Sequence, residues 1–101
     1  MQEAVPGEVA ERIRAVLGRH PSVKRAVLFG SRAKGNFREG SDIDLAVEGE
    51  ELCEHELADL RSELDDEPIA HCVDLVLKKT ITHRELLEHI ERVGRVFYER
   101  G

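Results

Sequence analysis

The stretch Val27-Leu28-Phe29-Gly30-Ser31-Arg32-Ala33-Lys34-Gly35, followed after a short polar loop by Ser41-Asp42-Ile43-Asp44-Leu45, decides how this chain is read. A β-rich run from Val23 to Phe29 ends at Gly30, and its apolar residues are nearly continuous from Ala26. Such continuity marks a strand covered on both faces. Gly-Ser after it opens a short helical turn, which directs unbonded backbone N–H groups and the Ser31 hydroxyl at an incoming anion. Gly30 and Gly35 let the backbone come close to phosphate oxygens. Alone, a Gly-Ser turn says little, since capping by Ser31 uses the same geometry.

The second half sharpens the reading. The next strand, Asp42 to Glu48, alternates, with Ile43, Leu45 and Val47 on one face and Asp42, Asp44 and Ala46 on the other. Two carboxylates leaving one face side by side repel each other unless a cation neutralises them. Mg²⁺ suits the pair, because it takes oxygen ligands and combines a few carboxylates with substrate phosphates. Asp74, on the polar side of a third strand read over Ala70 to Leu77, completes a three-carboxylate site. Two ions roughly 3.5–4 Å apart in such a site clamp the attacking and leaving oxygens of an in-line phosphoryl displacement. In that arrangement Asp42 and Asp44 hold the metal that carries the triphosphate, and Asp74 binds or activates the acceptor hydroxyl. The bland alternative makes all three acids solvent-facing strand residues, the usual fate of an Asp-x-Asp pair.

Outward from this block, Val5, Val9, Ile13, Val16 and Leu17 recur at helical spacing, with Pro6 in the first turn and Gly18 and Pro21 as the stop. A second helix is expected from about Glu50 to Leu64, burying Cys53, Leu57, Leu60 and Leu64. Thr82 and Glu85 suggest a capping box for a last helix carrying Leu86, Leu87, Ile90 and Val93. Arg95 to Tyr98 reads equally as a helix end or a short strand. The expected order is α-β-β-α-β-α: one small α/β sheet domain over residues 1–101.

Composition narrows the partners. Fifteen Lys and Arg against twenty-one Asp and Glu give a net charge of −6. That balance argues against a long nucleic acid, whose binders carry a basic excess, and favours a basic protein partner. Cys53 and Cys72 match no zinc or redox spacing and read as small hydrophobes of a reduced protein. The five histidines form no pattern, and His55 and His89 fall at exposed helix positions. With no apolar stretch long enough for a bilayer and no signal-like N-terminus, the expectation is a soluble, cytoplasmic protein.

Gly30-Ser31-Arg32-Ala33-Lys34-Gly35 followed by Ser41-Asp42-Ile43-Asp44-Leu45 resembles the signature of the DNA polymerase β-like nucleotidyltransferase superfamily, with Val73-Asp74-Leu75-Val76 similar to its third-carboxylate strand. The compact length resembles the minimal nucleotidyltransferase (MNT) branch. The resemblance spans about Val23 to Leu77 and implies a polymerase β-like α/β fold, a small mixed β-sheet with flanking helices, and Mg²⁺-dependent transfer of a nucleoside monophosphate, with ATP as the expected donor. It assigns catalysis and metal binding to Asp42, Asp44 and Asp74, and nucleotide contacts to Gly30, Ser31, Arg32, Gly35 and Ser41. It also implies pairing with a HEPN-domain protein in a toxin–antitoxin module, where an MNT protein acts as antitoxin by adenylylating its toxin. The rival expectations are an antitoxin that works by binding alone and a nucleotide-sensing module without transfer.

Overall fold

The computed structural model describes residues 4–38 and 40–100; Glu39, in the loop before Ser41, lies outside the described residues. Helix α1 (Gly7–Gly18) is followed by β1 (Arg25–Phe29), the short helix α2 (Ser31–Lys34), β2 (Ile43–Glu48), α3 (Glu54–Asp65), β3 (Val73–Leu77), a 3₁₀ turn, α4 (Arg84–Val93) and β4 (Arg95–Glu99). The strands form one mixed sheet in the order β3-β2-β1-β4. β1 runs antiparallel to both β2 and β4, whereas β2 and β3 are parallel.

The period-2 pattern of the strands divides the molecule into two layers of packing. On one face, Ala26, Leu28, Ile43, Leu45, Val47, Leu75 and Leu77 meet α1 and α3 through Ile13, Val16, Leu17, Leu57, Leu60 and Leu64. This is the larger core. Leu45 is fully enclosed within it, so Leu45→Ala would cost about 2–5 kcal/mol through lost contacts and the cavity left behind. On the opposite face Val27, Phe29, Ala46 and Ile90 form a second, smaller cluster, joined by Val76, Ile81 and Leu86. Helix α4 is the lid of that second face. Its apolar residues form a narrow stripe, and only Ile90 is buried within it.

The terminal Arg95–Glu99 segment is a strand, which resolves the ambiguity left by its sequence. It pairs with β1 across a bulge at Ala26/Val27. Arg14 donates from Nε to the Phe97 carbonyl at 2.8 Å and stacks its guanidinium over the Phe97 ring. That pairing ties the edge strand to α1.

Local expectations fail at several helix ends. α3 begins at Glu54, not near Glu50, and Cys53 is its N-cap residue with an exposed thiol instead of a buried one. Cys72 is exposed as well, so neither cysteine serves as a core hydrophobe. Pro6 is the N-cap of α1, one position before the first turn. At α4 the cap is His83, whose Nδ1 accepts the Leu86 N–H at 3.2 Å, in place of a Thr82–Glu85 capping box. The third strand starts at Val73, three residues later than expected.

Candidate active site

Gly30 stands where β1 turns into α2, with φ +78° and ψ −159°. That region of backbone space is essentially open only to glycine. A second constraint acts at the same atom: a Cβ on Gly30 would overlap the Asp44 carboxylate oxygen Oδ2. The absent side chain is therefore what allows Asp44 to lie against the turn. Gly35 closes α2 in the left-handed conformation, φ +88°, with its N–H donating to the Ser31 carbonyl at 3.0 Å. No atom lies near enough to crowd a Cβ there, so Gly35 answers a backbone need alone.

The sheet register gathers the acids. Asp44 is opposite Phe29 in the antiparallel β1/β2 ladder and opposite Asp74 in the parallel β2/β3 ladder. Residues paired across a ladder project to the same face, here the face that α4 covers. Asp42 lies one residue before β2 and, two positions from Asp44, shares that face. The ladder extends back to this point, since the Ile43 N–H donates to the Cys72 carbonyl at 2.9 Å. Asp44 is half-buried, while Asp42 and Asp74 are exposed.

The electrostatics follow from that placement. Burial, then the charges of Asp74 and Asp42, push the Asp44 carboxyl above its ordinary value of 3.8. All three causes disfavour the charged form, so the site stores unrelieved negative charge. Among the described residues no three His, Cys, Asp or Glu side chains enclose a metal ion by themselves. The acids form an open face of oxygen donors rather than a cage. That donor set fits a hard divalent cation which draws its remaining ligands from phosphate and water.

The structure does not treat every expected nucleotide contact alike. Arg32 is only 2% exposed. Its Nε donates to the Ser41 carbonyl at 3.0 Å, its Nη1 donates to the Ala4 carbonyl at 2.8 Å, and its guanidinium stacks over Phe37. Arg32, expected as a nucleotide contact, braces the loop between α2 and β2 against the N-terminal segment. Ser41 belongs to the same brace: its Oγ accepts the Arg38 N–H and its own N–H donates to the Arg38 carbonyl, both at 2.9 Å. These bonds hold the loop that delivers Asp42. Gly30, Ser31 and the three acids are thus brought to one end of the sheet, while Arg32 and Ser41 support them from behind.

One participant escaped the sequence reading. His89, expected to be solvent-exposed, is half-buried on α4 and accepts the Gly30 N–H on Nε2 at 3.0 Å. Its ring stands edge-on to Phe29, with centroids 6.2 Å apart and planes at 81°. No local signal reveals this, because the two partners are 59 residues apart.

Comparison with known proteins agrees with the geometry. The family model described as "Polymerase beta, Nucleotidyltransferase" matches residues 11–101. No curated protein matches the chain in sequence. Among solved structures, a chain of a toxin–antitoxin complex with AMP-PNP is 25% identical, with a TM-score of 0.73 over 90% of this chain and 73% of that one. A chain from the complex of a tri-AMPylated Shewanella oneidensis HEPN toxin with its MNT antitoxin is 22% identical and superposes with a TM-score of 0.68, covering 92% of this chain and 71% of that one. A Sulfolobus solfataricus protein described as a putative nucleotidyltransferase shares 20% identity and the fold, with a TM-score of 0.58 over 99% of this chain and 90% of that one. The chain belongs to the polymerase β nucleotidyltransferase family and is a nucleotidyltransferase.

Proposed function

We propose that this protein transfers AMP from ATP to a hydroxyl group on a HEPN-type partner protein in the cytoplasm, the hydroxyl oxygen bonding to the α-phosphorus as pyrophosphate leaves, and that it acts as that partner's antitoxin. The observation that carries the reading is the register that places Asp44 opposite Asp74, with Asp42 beside them and Gly30 packed against Asp44. Asp42 and Asp44 would hold Mg²⁺, and Asp74 would share it or face the acceptor. The ion, when bound, supplies neutralisation of the charge that builds on the transferring phosphoryl group. The Gly30–Ser31 turn brings backbone close to the phosphates. Asp74, exposed on the edge strand β3, would orient an entering hydroxyl and receive its proton.

Support for the partner comes from two sides. The chain is similar to members of toxin–antitoxin complexes, one holding AMP-PNP and one holding an AMPylated HEPN toxin. Its net charge of −6 suits a partner with a basic patch. Orientation is worth about 7–11 kcal/mol in well-organised intramolecular reactions, so the partner's docking would itself be part of catalysis.

The test is co-expression with a HEPN-type protein, followed by incubation with ATP and Mg²⁺ and intact-mass measurement. The expected result is addition of AMP mass to the partner, abolished by Asp42→Ala in a complex that still co-purifies. An unmodified partner, together with an Asp42→Ala protein that still neutralises it in cells, would establish an antitoxin that works by binding alone.

A further inference from the structure

We propose that His89 is a positioning residue for nucleotide binding: through its bond to the Gly30 N–H, it fixes the orientation of the Gly30–Ser31 turn against Asp44. The inference rests on the nucleotide reading of that turn.

Three observations carry it. First, the bond takes a backbone donor to a side-chain acceptor. Gly30 is the N-cap of α2, and its N–H would otherwise be free to reorient with the peptide plane between Phe29 and Gly30. Glycine enters this region at no steric cost but enters others as readily, so its own backbone preference does not hold the turn there and an outside restraint is what keeps it dominant. Second, the acceptor is itself fixed. The His89 ring is oriented edge-on by Phe29, and α4 is seated by Ile90 at the next position, within the cluster of Val27, Phe29 and Ala46. A rigid second side chain that orients the group touching substrate is the usual means of holding a site to its working geometry. Third, the chain of contact is short. His89 holds Gly30, Gly30 lies against the Asp44 carboxylate, and Asp44 faces Asp74. A turn released from α4 could rotate toward Asp44 or away from it, changing where the phosphates sit relative to the acids.

The bond also specifies the ring. Nε2 accepts the Gly30 N–H, so in the neutral imidazole the proton resides on Nδ1. Gln can present an oxygen where His presents Nε2, while Leu fills similar space and accepts nothing. That contrast separates positioning from packing.

The experiment compares wild type, His89→Gln and His89→Leu in two measurements. In nucleotide-free protein, amide exchange followed by NMR should find the Gly30 N–H protected in wild type and in His89→Gln, and unprotected in His89→Leu. By calorimetric titration with ATP in Mg²⁺, His89→Leu should raise the dissociation constant about five- to tenfold, the value of one hydrogen bond, with His89→Gln restoring it to within about twofold. An unprotected Gly30 amide in wild type overturns the inference, whatever the protein binds. Protection with equal ATP affinity in the Leu and Gln variants overturns the positioning role alone. Wild-type protein that binds no ATP in Mg²⁺ overturns the nucleotide reading, and the positioning role falls with it.

Discussion

Asp44 and Asp74 face each other across the parallel β2/β3 ladder, and the charge of the second helps to hold the carboxyl of the first above its ordinary range. A sheet interior could have placed a Val–Val or Thr–Thr pair there with a gain in stability, since like charges directly opposite are destabilising. The polar pair is a cost to the free protein that a cation bound together with nucleotide phosphates would relieve.

From this follows a test of electrostatics against structure. A carboxyl whose pKa is raised by folding binds more protons in the native state than in the unfolded one between 3.8 and its raised value. Stability therefore falls as pH rises through that window, and the full penalty is present at neutral pH. Asp44→Asn should melt at or above the wild-type temperature at pH 7 without metal, while transfer is lost. Asp74→Asn should bring the Asp44 titration, followed by carboxyl NMR, down toward its ordinary value. A clear drop in the melting temperature of Asp44→Asn would instead make Asp44 a structural residue.

Ligands should act together on the melt. Mg²⁺ alone meets an open face of acids, and ATP alone adds charge to an already repulsive site, so neither should stabilise much. ATP with Mg²⁺ at a hundredfold excess over the dissociation constant should contribute about 2.7 kcal/mol, roughly ten degrees or more for a domain of this size. Asp44→Asn should abolish the shift. An unchanged melt at millimolar ATP and Mg²⁺ in wild type would contradict the proposed site.

The two left-handed glycines should respond differently to alanine. Gly35→Ala meets no neighbour and should cost about 1–2 kcal/mol for its backbone conformation alone. Gly30→Ala should cost about 1–3 kcal/mol for its backbone, with the overlap against Asp44 in addition. The added part should shrink in an Asp44→Ala background, where the overlapping oxygen is gone, while the Gly35→Ala cost stays the same. Denaturant unfolding of the two double-mutant cycles measures both couplings.

How much of this was legible beforehand depends on the range of the contacts. The Gly-Ser turn, the Asp42/Asp44 spacing and the strand bearing Asp74 are local patterns, and the structure brings all of them to one sheet end. The buried role of Arg32 was hidden, because its acceptors are carbonyls nine and 28 residues away. The His89–Gly30 bond was hidden for the same reason. β4 was ambiguous because only Phe97 among its five residues is buried, which leaves too little periodicity to choose a state. The cap of α4 lies one residue beyond the Thr82 that the capping-box pattern points to, because Thr82 and His83 both carry acceptors and the backbone selects between them.

A second acid-lined cluster, remote from the site, makes a prediction about pH and the α1–α3 seam. His20, just beyond α1, lies between Glu56 and Glu63 of α3, with Nδ1 3.0 Å from Glu56 and Nε2 against Glu63, and Ser22 donates to Glu56 as well. Burial works to lower the His20 pKa, but the hydrogen bonds and charges of the two glutamates together outweigh it, and the net direction is upward from 6.5. Glu56 moves the other way, below 4.5, chiefly through its Ser22 hydrogen bond and then through His20. The His20 contribution is thus fully present below 6.5 and lost as pH rises through the raised value. The Glu56 contribution is present above 4.5 and lost as pH falls through the lowered one. The seam is therefore tightest between these limits, about pH 4.5 to 6.5. Denaturant unfolding of wild type should show stability declining from pH 6.5 toward pH 8 relative to His20→Gln, which keeps hydrogen-bonding capacity but carries no titrating charge. Parallel pH curves for the two proteins would mean that the His20 charge contributes nothing to the seam, leaving it to the Ser22–Glu56 hydrogen bond and the packing of Leu17, Leu57 and Leu60.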